Sequence, residues 1–131
     1  MVSSLNVKVP ARAAGYEQVQ YMAKRHTLTA ADVPVIKLGT LPAGAVILSV
    51  GVAKITTYSG GTPVLGFGTV AANVGGSGDI ATGMSISLSS NTVPLAIGFP
   101  LASDTDVWFG SSGAATTGDS VVSVSFMLPI A

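Results

Sequence analysis

Apolar and polar residues alternate with a period of two along much of this chain, which is the pattern of β-strands with one buried side. The final segment, 121–128, shows the alternation most clearly. We expect one side of it to face a core, and that side consists of Val122, Val124, Phe126 and Leu128. The same pattern predicts further strands at 21–29, 33–38, 84–88, 93–99 and 106–109. No window has helical periodicity over about ten residues.

The stretch 41–69 predicts a turn followed by two long strands. Pro42 presets the backbone for the turn, and Gly44 closes it. The strand after the turn has an apolar side that we expect in the core, made of Val46, Leu48, Val50 and Val52. Its other side is made of small residues that suit close packing, namely Ser49, Gly51 and Ala53.

The end of this strand carries two further signals. Lys54 would fall on the apolar side, so we expect the strand to bulge or leave the core near it. The two glycines within 59–62 then predict a tight hairpin, in which a second strand through 65–69 returns beside the first.

The whole pattern predicts an all-β protein. About seven or eight short strands separated by Gly, Pro and Asn turns favour a single β-sandwich, jelly-roll-like domain, which we place at residues 21–131. Residues 1–20 have no sustained periodicity and are expected to form an extended N-terminal arm. Residues 71–83 contain four glycines and are expected to form a long flexible loop.

Charged residues are scarce, at six Lys or Arg and six Asp or Glu, or 9% of 131 residues, against about 25% in typical soluble domains. The mean hydropathy is +0.62, but no apolar run reaches the ~18 residues of a membrane span, and we expect no signal peptide. The chain has no Cys, which excludes disulfides and thiolate metal sites. Because so little charge usually means apolar surface covered by partners, we expect obligate self-assembly or incorporation into a larger particle.

The charges are unevenly distributed along the chain. All six basic residues lie in the first 54 positions, at Lys8, Arg12, Lys24, Arg25, Lys37 and Lys54. The later part carries only acidic residues, at Asp79, Asp104, Asp106 and Asp119. This asymmetry indicates either complementary docking, between subunits or onto a host surface, or chance in a chain with few charges.

Candidate catalytic and metal-binding residues are few. His26 is the one histidine, and without a G-x-S-x-G motif or a nearby carboxylate we expect it at the surface or an interface. A zinc site is not expected, because there is neither a second His nor a Cys. Asp104 and Asp106 would share a strand face that could hold Ca²⁺, but the missing further ligands favour a solvated turn. We predict no enzymatic activity and no cofactor.

Two aromatic features suggest other ligands. Tyr16 and Tyr21 lie among basic residues, but the zero net charge argues against a nucleic-acid partner. Trp108 and Phe109 could form a platform for a sugar. Since adjacent strand residues point to opposite sides, we expect one of these two rings in the core.

Three runs resemble a known class of proteins: LPAGAVI at 41–47, TTYSGGTP at 56–63 and LGFGT at 65–69. They are similar to the small β-rich structural proteins of tailed bacteriophages, and most like head decoration, or cement, proteins. The resemblance implies a non-enzymatic virion protein that is made in the host cytoplasm and lies on the capsid surface. It also implies binding to the major capsid protein or other virion proteins, and self-association as a homotrimer, with no nucleic acid or membrane partner.

The resemblance further implies where binding occurs. The arm 1–20 would grip the shell by adding a strand to it or by becoming ordered on binding. The expected partner-binding residues are Lys8, Arg12, Tyr16, Lys24 and Arg25. The segments 71–83 and 111–120 would face solvent or a neighbouring copy.

Two other functions remain open at this point. One is a tail, neck or fibre-associated structural protein of the same kind of virus. The other is a carbohydrate-binding β-sandwich module that would use Trp108 or the tyrosines.

Overall fold

The structure, a computed structural model, describes residues 16–29, 35–86, 90–95, 100–113 and 115–129. These residues form eight strands: β1 (Tyr16–Leu28), β2 (Val35–Leu41), β3 (Val46–Ser59), β4 (Val64–Gly68), β5 (Ala81–Met84), β6 (Ser90–Pro94), β7 (Thr105–Ser112) and β8 (Thr117–Pro129). The helical structure among them is one 3₁₀ turn at Gly75–Ser77. The all-β prediction is confirmed, and no described helix is long and apolar enough to cross a membrane.

The strands form two antiparallel four-stranded sheets that make a sandwich. Sheet A has the order β1-β8-β3-β6, and sheet B has the order β2-β7-β4-β5. Strands that follow one another in sequence alternate between the sheets, except for β4 and β5, which are neighbours in sheet B. Each sheet therefore combines strands from the beginning and the end of the chain.

The core lies between the two sheets. Sheet A contributes Val50, Val52, Val122 and Val124, and sheet B contributes Leu65, Phe67, Val107 and Phe109. The rings of Phe67 and Phe109 pack at 4.9 Å between centroids. The predicted inner side of β8 is confirmed, because Val122 and Val124 are fully buried, Phe126 is 6% exposed, and Leu128 packs against the core.

The predicted hairpin at 59–62 is wrong. β3 pairs with β6 and β8 in sheet A, whereas β4 pairs with β5 and β7 in sheet B, so the two glycines carry the chain from one sheet to the other. Gly60 and Gly61 both have positive φ, at 93° and 52°. A Cβ on Gly60 would lie 2.4 Å from the Thr116 hydroxyl, because the β7–β8 connection packs against this turn. The local signal is that of a chain reversal, and it does not specify which strand becomes the partner.

β3 has three register shifts relative to β8, and they change which of its residues face the core. The first lies between Ile47 and Ser49, and it moves Ile47 into the core while Val46 and Leu48 are only partly buried. The prediction for those two residues was therefore wrong, because a bulge reverses the alternation. The second shift lies between Lys54 and Thr56, which confirms the bulge predicted near Lys54.

The turn before β3 lies one residue later than predicted. Ala45 donates its backbone N–H to the carbonyl of Pro42 at 3.2 Å, so Pro42 is the first residue of the turn. Gly44 is then the third residue and has φ of 89°, as a type II turn requires.

The glycine-rich segment between β4 and β5 packs onto sheet B and is not the free loop that was expected. The backbone N–H and the hydroxyl of Thr69 donate to the Asp79 carboxylate at 2.8 and 2.7 Å. The backbone N–H of Ile80 donates to the carbonyl of Phe67, and that of Gly76 donates to the Ser112 hydroxyl. The glycines are required here because this segment lies directly against the backbone of β4.

His26 is buried in the core, so its predicted surface or interface position is wrong. It is 1% exposed, and its Nδ1 is joined to the Tyr58 hydroxyl by a 2.6 Å hydrogen bond. The Tyr58 hydroxyl is also hydrogen-bonded to the Ser120 hydroxyl, at 2.7 Å. These three residues link β1, β3 and β8 through a buried polar chain, while the imidazole packs edge-on against Phe109. The sequence could not reveal this, because the three residues lie far apart in it.

We predict that Tyr58→Phe lowers the free energy of unfolding by about 1–3 kcal/mol, because it keeps the ring and removes the hydrogen bonds to His26 and Ser120. Urea unfolding at neutral pH would measure the change. Thr57→Val, at the exposed neighbouring position, serves as a control that leaves the core unchanged. A Tyr58→Phe protein as stable as the parent would show that the hydroxyl contributes nothing.

Burial raises the pKa of Tyr58 to about 12, an effect that the hydrogen bond between Tyr58 and Ser120 only partly offsets. The neutral phenol is therefore favoured in the folded state, and its contribution to stability is complete below the ordinary tyrosine pKa near ~10. We expect that contribution to be lost as the pH rises from ~10 to about 12. Unfolding curves between neutral pH and pH ~11 should show this loss in the parent and a smaller one in Tyr58→Phe.

Candidate assembly surface

The two broad outer faces of the sandwich differ in what covers them. Over β4, the outer face of sheet B is covered by the segment between β4 and β5. A Cβ on Gly66 would lie 2.2 Å from the carbonyl oxygen of Gly75, and one on Gly68 would lie 1.7 Å from that of Asn73. The chain thus buries part of one face with its own backbone.

The outer face of sheet A consists of rows of directly paired residues whose side chains point away from the core. The rows are Val19–Met127–Val46, Tyr21–Ser125–Ser49–Pro94, Ala23–Ser123–Gly51–Thr92, Arg25–Val121–Ala53 and Thr27–Asp119–Thr56. Most of these side chains are small or apolar. Tyr21 is 70% exposed, Val19 is 46% exposed and Val121 is 39% exposed.

Small side chains occupy the middle of this face. A Cβ on Gly51 would lie 3.3 Å from the Ser123 hydroxyl and 3.4 Å from that of Thr92, so the row is closely packed without any large side chain. Next to it, the hydroxyls of Ser49 and Ser125 are hydrogen-bonded to each other. The sequence indicated the small side of β3, but its pairing with the equally small side of β8 appears only in the structure.

Arg25 and Asp119 are the charged residues among the described side chains of this face, and they pair with each other. Arg25 Nε donates to Asp119 Oδ1 at 3.0 Å, its terminal nitrogen donates to the other carboxylate oxygen, and Thr27 also donates to Asp119. The hydrogen bond from Arg25 is the largest cause of the lowered pKa of Asp119. The pair is local and neutral, so the outer face of sheet A presents no net charge from its described residues.

Lys24 lies on the opposite side of β1 from Arg25. It is paired with Val122 in the register, so it is directed to the core side of an edge strand. Its Nζ reaches out to the carbonyl of Lys37 in sheet B, at 3.2 Å. A charged side chain directed inward at a sheet edge disfavours the addition of another strand.

The expected partner-binding residues therefore do not form one basic patch in the part of the chain that is described. Lys24 and Arg25 point to opposite sides of β1. Tyr16 is the first residue of β1 and is paired with Pro129, so residues 16–20 of the expected arm belong to a strand. Lys8 and Arg12 lie outside the described residues, and their role stays a prediction.

The uneven distribution of charge along the sequence corresponds to ion pairs within the chain. Arg25 of β1 pairs with Asp119 of β8, and Lys37 of β2 pairs with Asp106 of β7 at 3.2 Å. Early strands are neighbours of late strands in both sheets, so basic residues come to lie beside acidic ones.

The residues considered for Ca²⁺ and sugar binding lie on the sheet B side. Asp106 accepts from the Thr40 hydroxyl at 2.7 Å, and Asp104 accepts from the backbone N–H of Ala43 at 3.0 Å. Among the described residues, no group of three or more His, Cys, Asp or Glu could hold a metal ion. Phe109 is fully buried and Trp108 points outward, which confirms that one of the two rings is in the core. Lys37 Nζ lies 5.9 Å from the centre of the Trp108 ring.

No family model matches the chain, and no curated protein matches it by sequence. Solved structures that share its fold include a chain of the acid-stable capsid of Helicobacter pylori bacteriophage KHP30, with a TM-score of 0.63 and 16% identity over 88% of this chain and 91% of that one. They also include a chain of the cyanophage Pam1 capsid asymmetric unit, with a TM-score of 0.55 and 21% identity over 98% of both chains. At these identities the comparisons show a common fold, which extends over nearly the whole length of each chain.

We predict that Asp79→Ala frees the segment that covers sheet B. The backbone N–H of Thr69 would lose its acceptor, so its hydrogen exchange should become about tenfold faster or more. Ser77→Ala, an exposed change within the same segment, should leave that exchange rate unchanged.

The same contact should weaken in acid. Burial raises the pKa of Asp79, but hydrogen bonds from the Thr69 hydroxyl and backbone outweigh that effect and lower it overall. Its contribution is therefore present above the ordinary carboxylate pKa and is lost as the pH falls through the lowered value. If the backbone N–H of Thr69 exchanges as slowly in Asp79→Ala as in the parent protein, Asp79 does not have this role.

Proposed function

We propose that this protein is a bacteriophage virion structural protein, a capsid decoration (cement) protein that binds the assembled head and stabilises it. The observation that supports this most directly is the shared fold with chains from two phage capsids, KHP30 and Pam1. Coverage is high on both sides, so the shared fold belongs to chains of about the same length and not to a piece of a larger subunit.

The strand order supports this assignment. Two four-stranded antiparallel sheets with the orders β1-β8-β3-β6 and β2-β7-β4-β5 fit a jelly roll, an arrangement common in viral capsid domains. The sandwich also offers a broad neutral surface, the outer face of sheet A, through which such a protein can be incorporated into a larger particle. No enzymatic activity belongs to the proposal, since His26 and Ser120 are both buried in the core.

Stabilisation of the head would follow from mass action. A protein that binds the assembled shell, and not its separated subunits, shifts the equilibrium towards the shell by an amount that grows with its free concentration. The protein would be made in the host cytoplasm and located on the capsid surface. Its partners would be the major capsid protein or other virion proteins, and further copies of itself in a homotrimer, with no nucleic acid or membrane.

We predict that heads assembled without this protein bind it when it is added, and that they then lose their DNA at a higher temperature. Co-sedimentation measures binding, and the fluorescence of a DNA dye during heating measures release. The copy number distinguishes the alternative of a tail, neck or fibre protein, because a decoration protein should be present in hundreds of copies and a tail part in about 3–12. A small copy number, or no effect on the heads, would contradict the proposal.

We also predict that removal of residues 1–15 abolishes binding to heads, because this segment is proposed to grip the shell. The far-UV circular dichroism of the truncated protein should be unchanged, since the described strands begin at Tyr16. Unchanged occupancy on purified heads would show that the segment is dispensable.

The alternative of a carbohydrate-binding module depends on Trp108. Lys37 lies over its ring, so a sugar would have to displace that contact. A glycan array on which the signal disappears with Trp108→Ala would favour this alternative, and a blank array would count against it.

A further inference from the structure

We propose that the outer face of sheet A is the surface that docks onto the shell, so that sheet B faces away from it. This inference rests on the proposed function and specifies which side of the protein binds. The surface that it binds is the outside of an assembled virion shell.

The first argument is the difference in charge between the two sides. On the outer face of sheet A, the described charges are Arg25 and Asp119, which already neutralise each other through paired hydrogen bonds. The sheet B side carries the Lys37–Asp106 pair and, in addition, the carboxylate of Asp79, which is in none of the described ion pairs. Removing charged groups from water is costly, so burial of the neutral side costs less.

The second argument is the position of exposed apolar side chains. Three of the five large ones among the described residues, Val19, Tyr21 and Val121, lie on the outer face of sheet A. A fourth, Ile55, is the extra residue of a bulge in β3, whereas Val70 lies on the sheet B side. A large exposed aromatic residue beside aliphatic ones is the composition of a contact surface.

The third argument is the place where the N-terminal segment joins the sandwich. β1 begins at Tyr16, and Val19 and Tyr21 follow it at the same end of the outer face of sheet A. Residues 1–15 therefore lead directly into the apolar end of this face. A segment that grips the shell and a face that lies on the shell would then form one continuous contact.

The size and shape of the face fit this role. Strands about 4.8 Å apart and rows about 6.8 Å apart give the 17 positions of the five rows an area of about 550 Å². A standard interface buries about 800 Å² per partner, so the face alone would supply roughly two-thirds of one. The small residues of the middle row, such as Ala23 and Gly51, keep the face flat enough to approach a rigid shell closely.

The test compares the same substitution on the two sides of the protein. Ala53→Lys places a charge on the outer face of sheet A, in the row next to the middle one, and Ala72→Lys places one in the segment that covers sheet B; both positions are exposed. We expect Ala53→Lys to bind heads at least tenfold more weakly, while Ala72→Lys binds like the parent. Thr92→Lys, on the edge strand β6 of the same face, should behave like Ala53→Lys and decides the matter if Ala53→Lys does not fold. Circular dichroism and thermal unfolding establish that each variant is folded.

The outcomes separate this inference from the function on which it rests. If the parent protein does not bind heads, the proposed function fails and the docking face fails with it. If the parent binds and folded Ala53→Lys and Thr92→Lys bind equally well, the docking face is wrong while the proposed function stands. If the two variants change the mass of the protein in solution but not its binding to heads, the face is a contact between copies, and the inference is overturned.

Discussion

The structure depends on the pairing of the last strand, β8, with β1 on one side and β3 on the other. This pairing forms the centre of sheet A and places Val122 and Val124 in the middle of the core. It also brings Asp119 to Arg25, which lies 94 residues away in the sequence, and Ser120 to Tyr58. Since the partners are so far apart, large loops must close before these contacts form, and sheet A requires nearly the complete chain.

The same interleaving of early and late strands explains how a chain with few charges uses them. Each described ion pair joins a basic residue of a strand near the beginning to an acidic residue of a strand near the end. Four charged residues that are far apart in the sequence thereby form two neutral pairs on the surface. One side of the sandwich is left with a single neutral ion pair among its described side chains, and the other is partly covered by the chain's own backbone, which gives the molecule two chemically different sides.

Several features were predictable because they depend on neighbouring residues alone. The inner side of β8, the bulge near Lys54 and the burial of one of the two adjacent rings all follow from the alternation of side chains along a strand. The errors arose where a distant element intervened. Gly60 and Gly61 signal a reversal, but the chain passes to the other sheet at this turn. The β7–β8 connection, which also joins the two sheets, packs against it. His26 lies between Arg25 and Thr27 in the sequence, and nothing in that context predicts its burial. Its hydrogen-bond partner Tyr58 comes from another strand.

The sequence by itself determined that this protein is built of strands, which side of the last strand is buried, and that its charged residues are few. These properties follow from side-chain alternation and composition, which are local or additive. The tertiary structure alone decided which strands pair, and with that the ion pairs, the buried chain from His26 to Ser120 and the outer face of sheet A. Strand pairing depends on contacts between residues that are distant in the sequence, and a period of two is the same whichever partner a strand meets.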